Sequence, residues 1–246
     1  MDALTTAAAS GMRSRIESLD VLANNIANSA ASGFKADREF YGLYMSAEAA
    51  NSPAGTGPAT LPVVERQWTD FSQGSLSSTG SPLDLALAGK GFFAVTSPAG
   101  TLYTRDGSMR MSKNGQIETQ DGFTLRAQDG KPIQVDPSKA VDIGTDGIVR
   151  QDGLEVAHIS VVDVKDPNAL SKKGRNYFEL LSQDVPKPAA QTEVQQGRLE
   201  AANFQAAESA VRLVNVMRQF ESLQKAMAIG ADMNRHLIDD VAKVGQ

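Results

Sequence analysis

Side chains able to do chemistry are few in this sequence of 246 residues. There is no cysteine, which excludes thiol catalysis, disulfides, Fe–S clusters and thiolate zinc sites together. The imidazole inventory is His158 and His236. His158 lies in the apolar run 156–164 and reads as an ordinary strand residue, whereas His236 stands at helical spacing from Asp232, Asp239 and Asp240. Such a set brings too few converging ligands together for a metal site, and a solvated helix face accounts for it. Serine chemistry has no Gly-x-Ser-x-Gly to build on, and Ser72 in Phe71-Ser-Gln-Gly74 has no recognisable base. Asp239 and Asp240 are adjacent and point to different sides of a helix, which unfits them for paired acid–base work. Gly89-Lys-Gly-Phe-Phe93 lacks the Gly-Lys-Ser/Thr ending and the following helix of a phosphate loop. The dipeptides Asp106-Gly107, Asn114-Gly115, Asp121-Gly122, Asp129-Gly130, Asp146-Gly147 and Asp152-Gly153 lack the alternating oxygen ligands of a calcium loop and are turn chemistry instead. No active site assembles; the expectation is no enzyme, no cofactor and no metal.

Asn24, Asn25 and Asn28 are the polar feature that stands out. Asparagine is a poor helix former, so three within five positions destabilise a helix unless their amides find partners. Two readings stay open: fraying ahead of a serine-rich stop, or amides that fix register in a helical assembly.

The elements carrying these residues fall into two classes. Residues 4–26 contain no proline, and apolar side chains recur at Leu4, Ala8, Met12, Ile16, Leu19, Ala23 and Ile26, in steps of three or four. From about 199 to 244 two adjacent stripes run with the same step. One is Ala206, Ala210, Leu213, Met217, Phe220, Gln224, Met227 and Ala231; the other is Leu213, Val216, Phe220, Leu223, Met227, Gly230, Asn234, Leu237 and Val241. A sustained heptad of this kind predicts coiled-coil packing, and a doubled stripe predicts more than one neighbour; a helical hairpin on its own core is the alternative. The expected interface residues are Leu19, Asn24, Asn25, Ile26, Asn28, Leu213, Met217, Phe220, Leu223 and Met227.

Between the helices, short strand-like stretches alternate with the Asp-Gly and Asn-Gly turns from 80 to 181, the pattern of consecutive hairpins. The expected fold is α+β: N- and C-terminal helices paired as a coiled-coil module, with an inserted antiparallel β domain. The expected divisions are an N-terminal helix at 1–35, a linker and extended segment at 36–79, the β domain at 80–181, a linker at 182–198 and a C-terminal helix at 199–246. Small, polar, Pro- and Gly-containing composition marks 46–62 and 182–196 as flexible. On that division a fragment of residues 66–181 is expected to fold by itself.

A net charge of −5 gives no general attraction to phosphate backbones or anionic lipid, so no nucleic-acid partner is expected. No apolar run reaches the roughly 18 to 20 residues of a bilayer span, so no membrane insertion is expected either. The first residues, MDALTTAAASGMRSRIESL, lack the basic and apolar regions of a cleavable signal peptide, which predicts any export to follow another route.

Several blocks, in order, carry a resemblance. Ala23-Asn-Asn-Ile-Ala-Asn28 and Gly33-Phe34-Lys35 are similar to the N-terminal signature of bacterial flagellar axial proteins, and within them the basal-body rod proteins. Gln73-Gly74, Thr79-Gly80, Pro82-Leu83-Asp84, Gly89-Lys-Gly-Phe-Phe93 and Tyr103-Thr-Arg-Asp-Gly107 resemble the central blocks of the longer rod proteins and the hook protein. Gly197-Arg-Leu-Glu200, Asn203, Glu208, Arg218, Phe220-Glu221 and Lys225 fall where the family has its C-terminal signature, although Ala201-Ala202-Asn203-Phe204 departs from the usual Ser-Asn-Val. The resemblance implies a structural subunit that self-associates into a helical polymer with other rod and hook-side axial proteins. It also implies passage through the flagellar export apparatus, a place in the periplasmic rod of the basal body, and a coiled-coil inner layer. The proximal rod subgroup fits ahead of the distal rod or hook-type subunits. A periplasmic ligand-binding module or a secreted hydrolase are rivals from other classes.

Overall fold

The computed structural model describes residues 3–44, 61–174, 176–182 and 185–244. The first helix, α1, covers Ala3–Ala27, proline-free and alanine-rich, and it ends where Asn28, Ser29 and Ser32 offer the backbone competing hydrogen bonds. The second, α2, covers Ala206–Val244. Contacts divide the chain into two units. One holds α1, α2 and the two-stranded sheet of Asp37–Tyr44 and Leu61–Thr69 up to Trp68; the other holds residues 28–36 and 69–205.

In the helical unit α1 packs against α2 and against the strand Asp37–Tyr44. The residues α1 buries differ from the expected apolar stripe. They are Gly11, Ser14, Ser18, Leu22 and Asn25, while Ile16 is 47% exposed and Ala23 is exposed. Small side chains let neighbouring elements approach closely, and Ser18 Oγ donates to Glu39 Oε2 at 2.8 Å, whereas the buried Ser14 hydroxyl has no hydrogen-bond partner among the described residues. The stripe read from Met12, Leu19 and Ile26 is only half-buried, and Leu4 lies outside the residues whose side chains are described. On α2 the second stripe is the inner one. Val216 and Gly230 are buried, and Leu213, Phe220, Leu223 and Met227 are half-buried. Ala206, Ala210, Gln224 and Ala231, from the first stripe, are exposed, and Met217 is 47% exposed.

The β unit is antiparallel throughout its registered pairs. Its largest sheet runs in the order Leu170–Lys172, Tyr177–Leu180, Gly100–Thr104, Phe92–Ser97, Thr124–Leu125, Ile117–Thr119, Met109–Met111, with Val161–Asp163 and Lys187–Pro188 branching from it. A three-stranded sheet joins Asp142–Ile143, Ile148–Gln151 and Leu154–His158. Between the last two, Asp152 (φ 52°) and Gly153 (φ 76°) are successive left-handed residues, the conformation that a tight hairpin turn demands. The main core gathers Leu85, Leu87, Phe93, Val95, Ile117, Leu125, Ile133, Val149 and Ile159.

The boundaries of this unit are wider than the expected 80–181. Residues 182–198, expected as a linker, contribute the strand Glu193–Gln196, which pairs along the core strand Leu85–Ala88. Val194 thereby enters the main core at 2% exposure. The strand escaped notice because one inward apolar side chain among Glu, Gln and Thr leaves no alternating pattern to detect. Segment 36–79 likewise contains the strands Asp37–Tyr44, Leu61–Thr69 and Leu76–Ser78. Most of the other expected flexible stretch, residues 46–60, lies outside the described residues. A fragment ending at 181 would therefore strip an edge from the core.

Val194→Ala in the full-length chain is expected to cost about 2 kcal/mol, the range for removing buried methyl groups. Val185→Ala, at a side chain 85% exposed, is expected to stay within about 0.5 kcal/mol. Equilibrium urea denaturation followed by circular dichroism checks both, and equal effects would contradict the placement of Glu193–Gln196.

Candidate functional site

Two short segments without regular length of their own meet on the β unit. The N-terminal strap, residues 28–36, follows α1 in the chain, and the C-terminal strap, residues 197–205, precedes α2. Within the C-terminal strap Arg198–Glu200 forms a strand paired with Leu76–Ser78, placing Glu200 opposite Leu76. The N-terminal strap crosses beside it, where Gly33 N–H donates to Glu200 O at 2.7 Å. Gly33 has φ +66°, and a Cβ there would collide with the Arg105 carbonyl and the Asp106 amide nitrogen, so only glycine fits. Next to it Phe34 is buried, meets Phe204 edge-on at 6.0 Å, and carries the Lys172 ammonium 4.7 Å from its ring centroid. Asn203 closes the crossing with both ends of its amide: Oδ1 accepts from Ala36 N at 2.9 Å and Nδ2 donates to Asp70 O at 2.6 Å.

At the centre lies a buried ionic triad. Glu200 Oε1 is 2.5 Å from Lys35 Nζ, and Oε2 is 3.1 Å from Arg105 Nη1, with side-chain exposures of 0%, 0% and 3% for Glu200, Lys35 and Arg105. Every group also bonds to main chain. Gly74 N–H donates to Glu200 Oε1 at 2.8 Å, Lys35 Nζ donates to Ser72 O at 2.7 Å, and Arg105 Nη2 donates to Gly89 O at 2.6 Å. The guanidinium also stands 5.5 Å from the centroid of the Phe92 ring. Burial pulls the Lys35 ammonium and the Arg105 guanidinium below their ordinary pKa ranges, and Glu200 opposes that shift for both. With the carboxylate already bonded to two cations and a backbone amide, the arrangement is suited to clamping segments rather than to binding or turnover.

The residues singled out from sequence are distributed differently. Asn25 is buried, and its amide pairs with Asp37 main chain in both directions, Nδ2 to O at 2.8 Å and N to Oδ1 at 3.0 Å. That amide thus satisfies a strand within the same unit. Asn24 is exposed, and Asn28 O accepts from Ala31 N in the turn after α1. Leu19, Ile26, Leu213, Phe220, Leu223 and Met227 are half-buried, and Met217 is exposed. His158 lies in the strand Leu154–His158 with a ring nitrogen 2.8 Å from Asp146 O. His236 is exposed, 3.7 Å from Asp232. Lys35, Arg105 and Glu200 stood within the quoted blocks, but nothing in the sequence marked them as partners. The available signal was a charge set beside an apolar residue in two of them, Phe34-Lys35 and Leu199-Glu200, whereas Arg105 stands between Thr104 and Asp106.

The sequence matches two family models: the flagellar hook protein FlgE/F/G D1 domain over residues 86–151 and the flagellar basal body rod FlgEFG protein C-terminal model over residues 195–239. It is 33% identical over 227 residues to the flagellar basal-body rod protein FlgF of Caulobacter vibrioides, covering 92% of each chain. The chain belongs to the flagellar basal-body rod protein family. Other relatives include FlgF of Mesorhizobium japonicum, 31% identical with 85% of each chain covered, and FlgG of Caulobacter vibrioides, 31% identical over 95% of this chain and 97% of the relative. In this family member the first match holds Arg105 and the second holds Glu200 and Asn203; Lys35 lies outside both.

Glu200→Gln is expected to lower stability by about 3 to 5 kcal/mol, because it leaves two buried cations without a carboxylate. Lys131→Ala, which removes an exposed pair with Asp129, is expected to be silent. Urea titration of the full-length variants distinguishes them; a silent Glu200→Gln would show that the triad is not closed in solution.

Proposed function

We propose that this rod-family chain is a structural subunit of the bacterial flagellar basal-body rod, acting by assembly rather than by catalysis. The observation that carries the reading is the apolar surface that α2 leaves outside its packed stripe. One stripe packs inward, while Val211, Val214, Met217, Ile229 and Met233 present apolar side chains 47% to 64% exposed on the same helix. Exposed apolar surface on a long helix is stabilised when a neighbour covers it. A heterologous contact whose rotation does not close a ring then builds an open helical polymer.

In this reading α1 and α2 pair as a coiled coil, and the interface includes Leu19, Asn24, Ile26, Asn28, Leu213, Met217, Phe220, Leu223 and Met227, with Asn25 supporting it from inside the subunit. The partners are further copies and other rod and hook-side axial proteins. The location is the periplasmic rod, reached through the flagellar export apparatus. Torque passes through packed helices, with no nucleic acid and no insertion into the membrane. The 246-residue length and the block Thr69-Asp-Phe-Ser-Gln-Gly74 favour the proximal rod subgroup over distal rod and hook-type subunits.

The double substitution Val214→Glu and Met217→Glu tests the reading. The isolated chain should keep wild-type circular dichroism, since both side chains are exposed, yet be absent from purified hook-basal bodies and fail to restore motility. Normal incorporation of the variant would sink the assignment of this surface.

A further inference from the structure

The two straps are attached to the β unit in unequal ways. The C-terminal strap has partners there in its own right: Arg198–Glu200 pairs with Leu76–Ser78, Gly197 N donates to Asp84 O at 2.8 Å, and Ala201 N donates to Ser75 O at 2.8 Å. Its carboxylate, Glu200, reaches both Arg105 and Gly74 N, so one negative charge already balances one positive charge before Lys35 is considered. The N-terminal strap leans on the C-terminal one. Gly33 N–H donates to Glu200 O, Ala36 N–H donates to Asn203 Oδ1, and the Lys35 ammonium donates to Glu200 Oε1. Among its other links are Asn176 Nδ2 to Ser32 O, Lys172 Nζ to Lys35 O, Asp70 N to Ala36 O and Lys35 Nζ to Ser72 O. None of these is an ion pair to Lys35, and the Asp70 carboxylate favours its charged form less than Glu200 does.

Without the C-terminal strap, Lys35 would enter a site already holding Arg105, and two desolvated cations would face each other. Burial lowers the pKa of both cations, Arg105 lowers that of Lys35 further, and Glu200 is the largest favourable influence on both. Asp70 and Asp163, the other carboxylates acting on them, contribute less than Glu200. The geometry points to a conditional clasp: the N-terminal strap docks only onto a β unit whose C-terminal strap is already seated. Lys35 precedes Glu200 by 165 residues, so in a chain made from its N-terminus residues 28–36 stay unanchored until the C-terminal strap is available.

Pulse-labelled hydrogen exchange during refolding of the full-length chain reads the order directly. Protection at Gly197 and Ala201 is expected to precede protection at Gly33 and Ala36 by about tenfold in time, and simultaneous or reversed protection would overturn the clasp. Native-state exchange adds an asymmetry. Lys35→Met is expected to raise exchange at Gly33 and Ala36 by about tenfold or more while leaving Gly197 and Ala201 within about threefold, whereas Glu200→Gln raises both sets. Release of both straps by Lys35→Met, or of the C-terminal strap alone by Glu200→Gln, would refute it. If Glu200→Gln does not fold, the order of protection in the unsubstituted chain decides.

Discussion

A carboxylate with no water around it must be surrounded by donors, and Glu200 is the point to which the β unit and both straps are bound by that requirement. It is met by one cation from the N-terminal strap, one from the strand-following block Tyr103-Thr-Arg-Asp-Gly107, and a backbone amide from Gly74. Segments far apart in sequence are thus forced to one place, because each would otherwise hold a buried charge costing several kcal/mol. The apolar contacts alongside, Phe34 on Phe204 and Arg105 over Phe92, shield the triad from solvent and keep its charges strong.

Away from the triad, the helical unit is organised by a division between small and large side chains. α1 turns Gly11, Ser14 and Ser18 inward, so its larger residues Met12, Ile16 and Leu19 sit at the margin of the packed face or outside it. α2 does the opposite on its inner stripe, using Val216 and the flanking Leu213, Phe220 and Leu223. A close approach by a small-residue helix leaves its bulkier neighbours free for other surfaces, which is how one pair of helices can satisfy its own core and still offer apolar area. The family membership and this exposed area point to the same kind of protein, one completed by its neighbours.

The helices and the hairpin region were legible because their signals are local. Step-of-three-or-four spacing is kept along α2 from Leu213 to Gly230, and five of the six turn dipeptides announce a positive-φ glycine, as Asp152-Gly153 shows, Asp106-Gly107 being the exception. Which face of α1 turns inward was not legible, since periodicity marks where apolar residues lie but says nothing of small residues packing more closely. The strand Glu193–Gln196 was missed because its register is dictated by Leu85–Ala88, about a hundred positions earlier, rather than by its own composition. Lys35, Arg105 and Glu200 were unreadable as a group for a similar reason. Ionic partnership across such separations leaves no trace in spacing, and a charge in a short mixed block such as Thr104-Arg105-Asp106 is as compatible with a solvated turn. Asn25 falls between these cases: its type signalled an amide needing partners, but the partner, Asp37 main chain, came from the fold.

Heat and cold act differently on the two kinds of attachment described here. The desolvation penalty of buried ions falls as temperature rises, whereas apolar burial loses driving force on cooling. The Lys35–Glu200–Arg105 junction therefore tightens relative to the apolar core in warm surroundings. In cold ones both the core around Phe93 and Ile117 and the balance at the junction weaken together. The straps are thus fastened by the part of the molecule least troubled by warming.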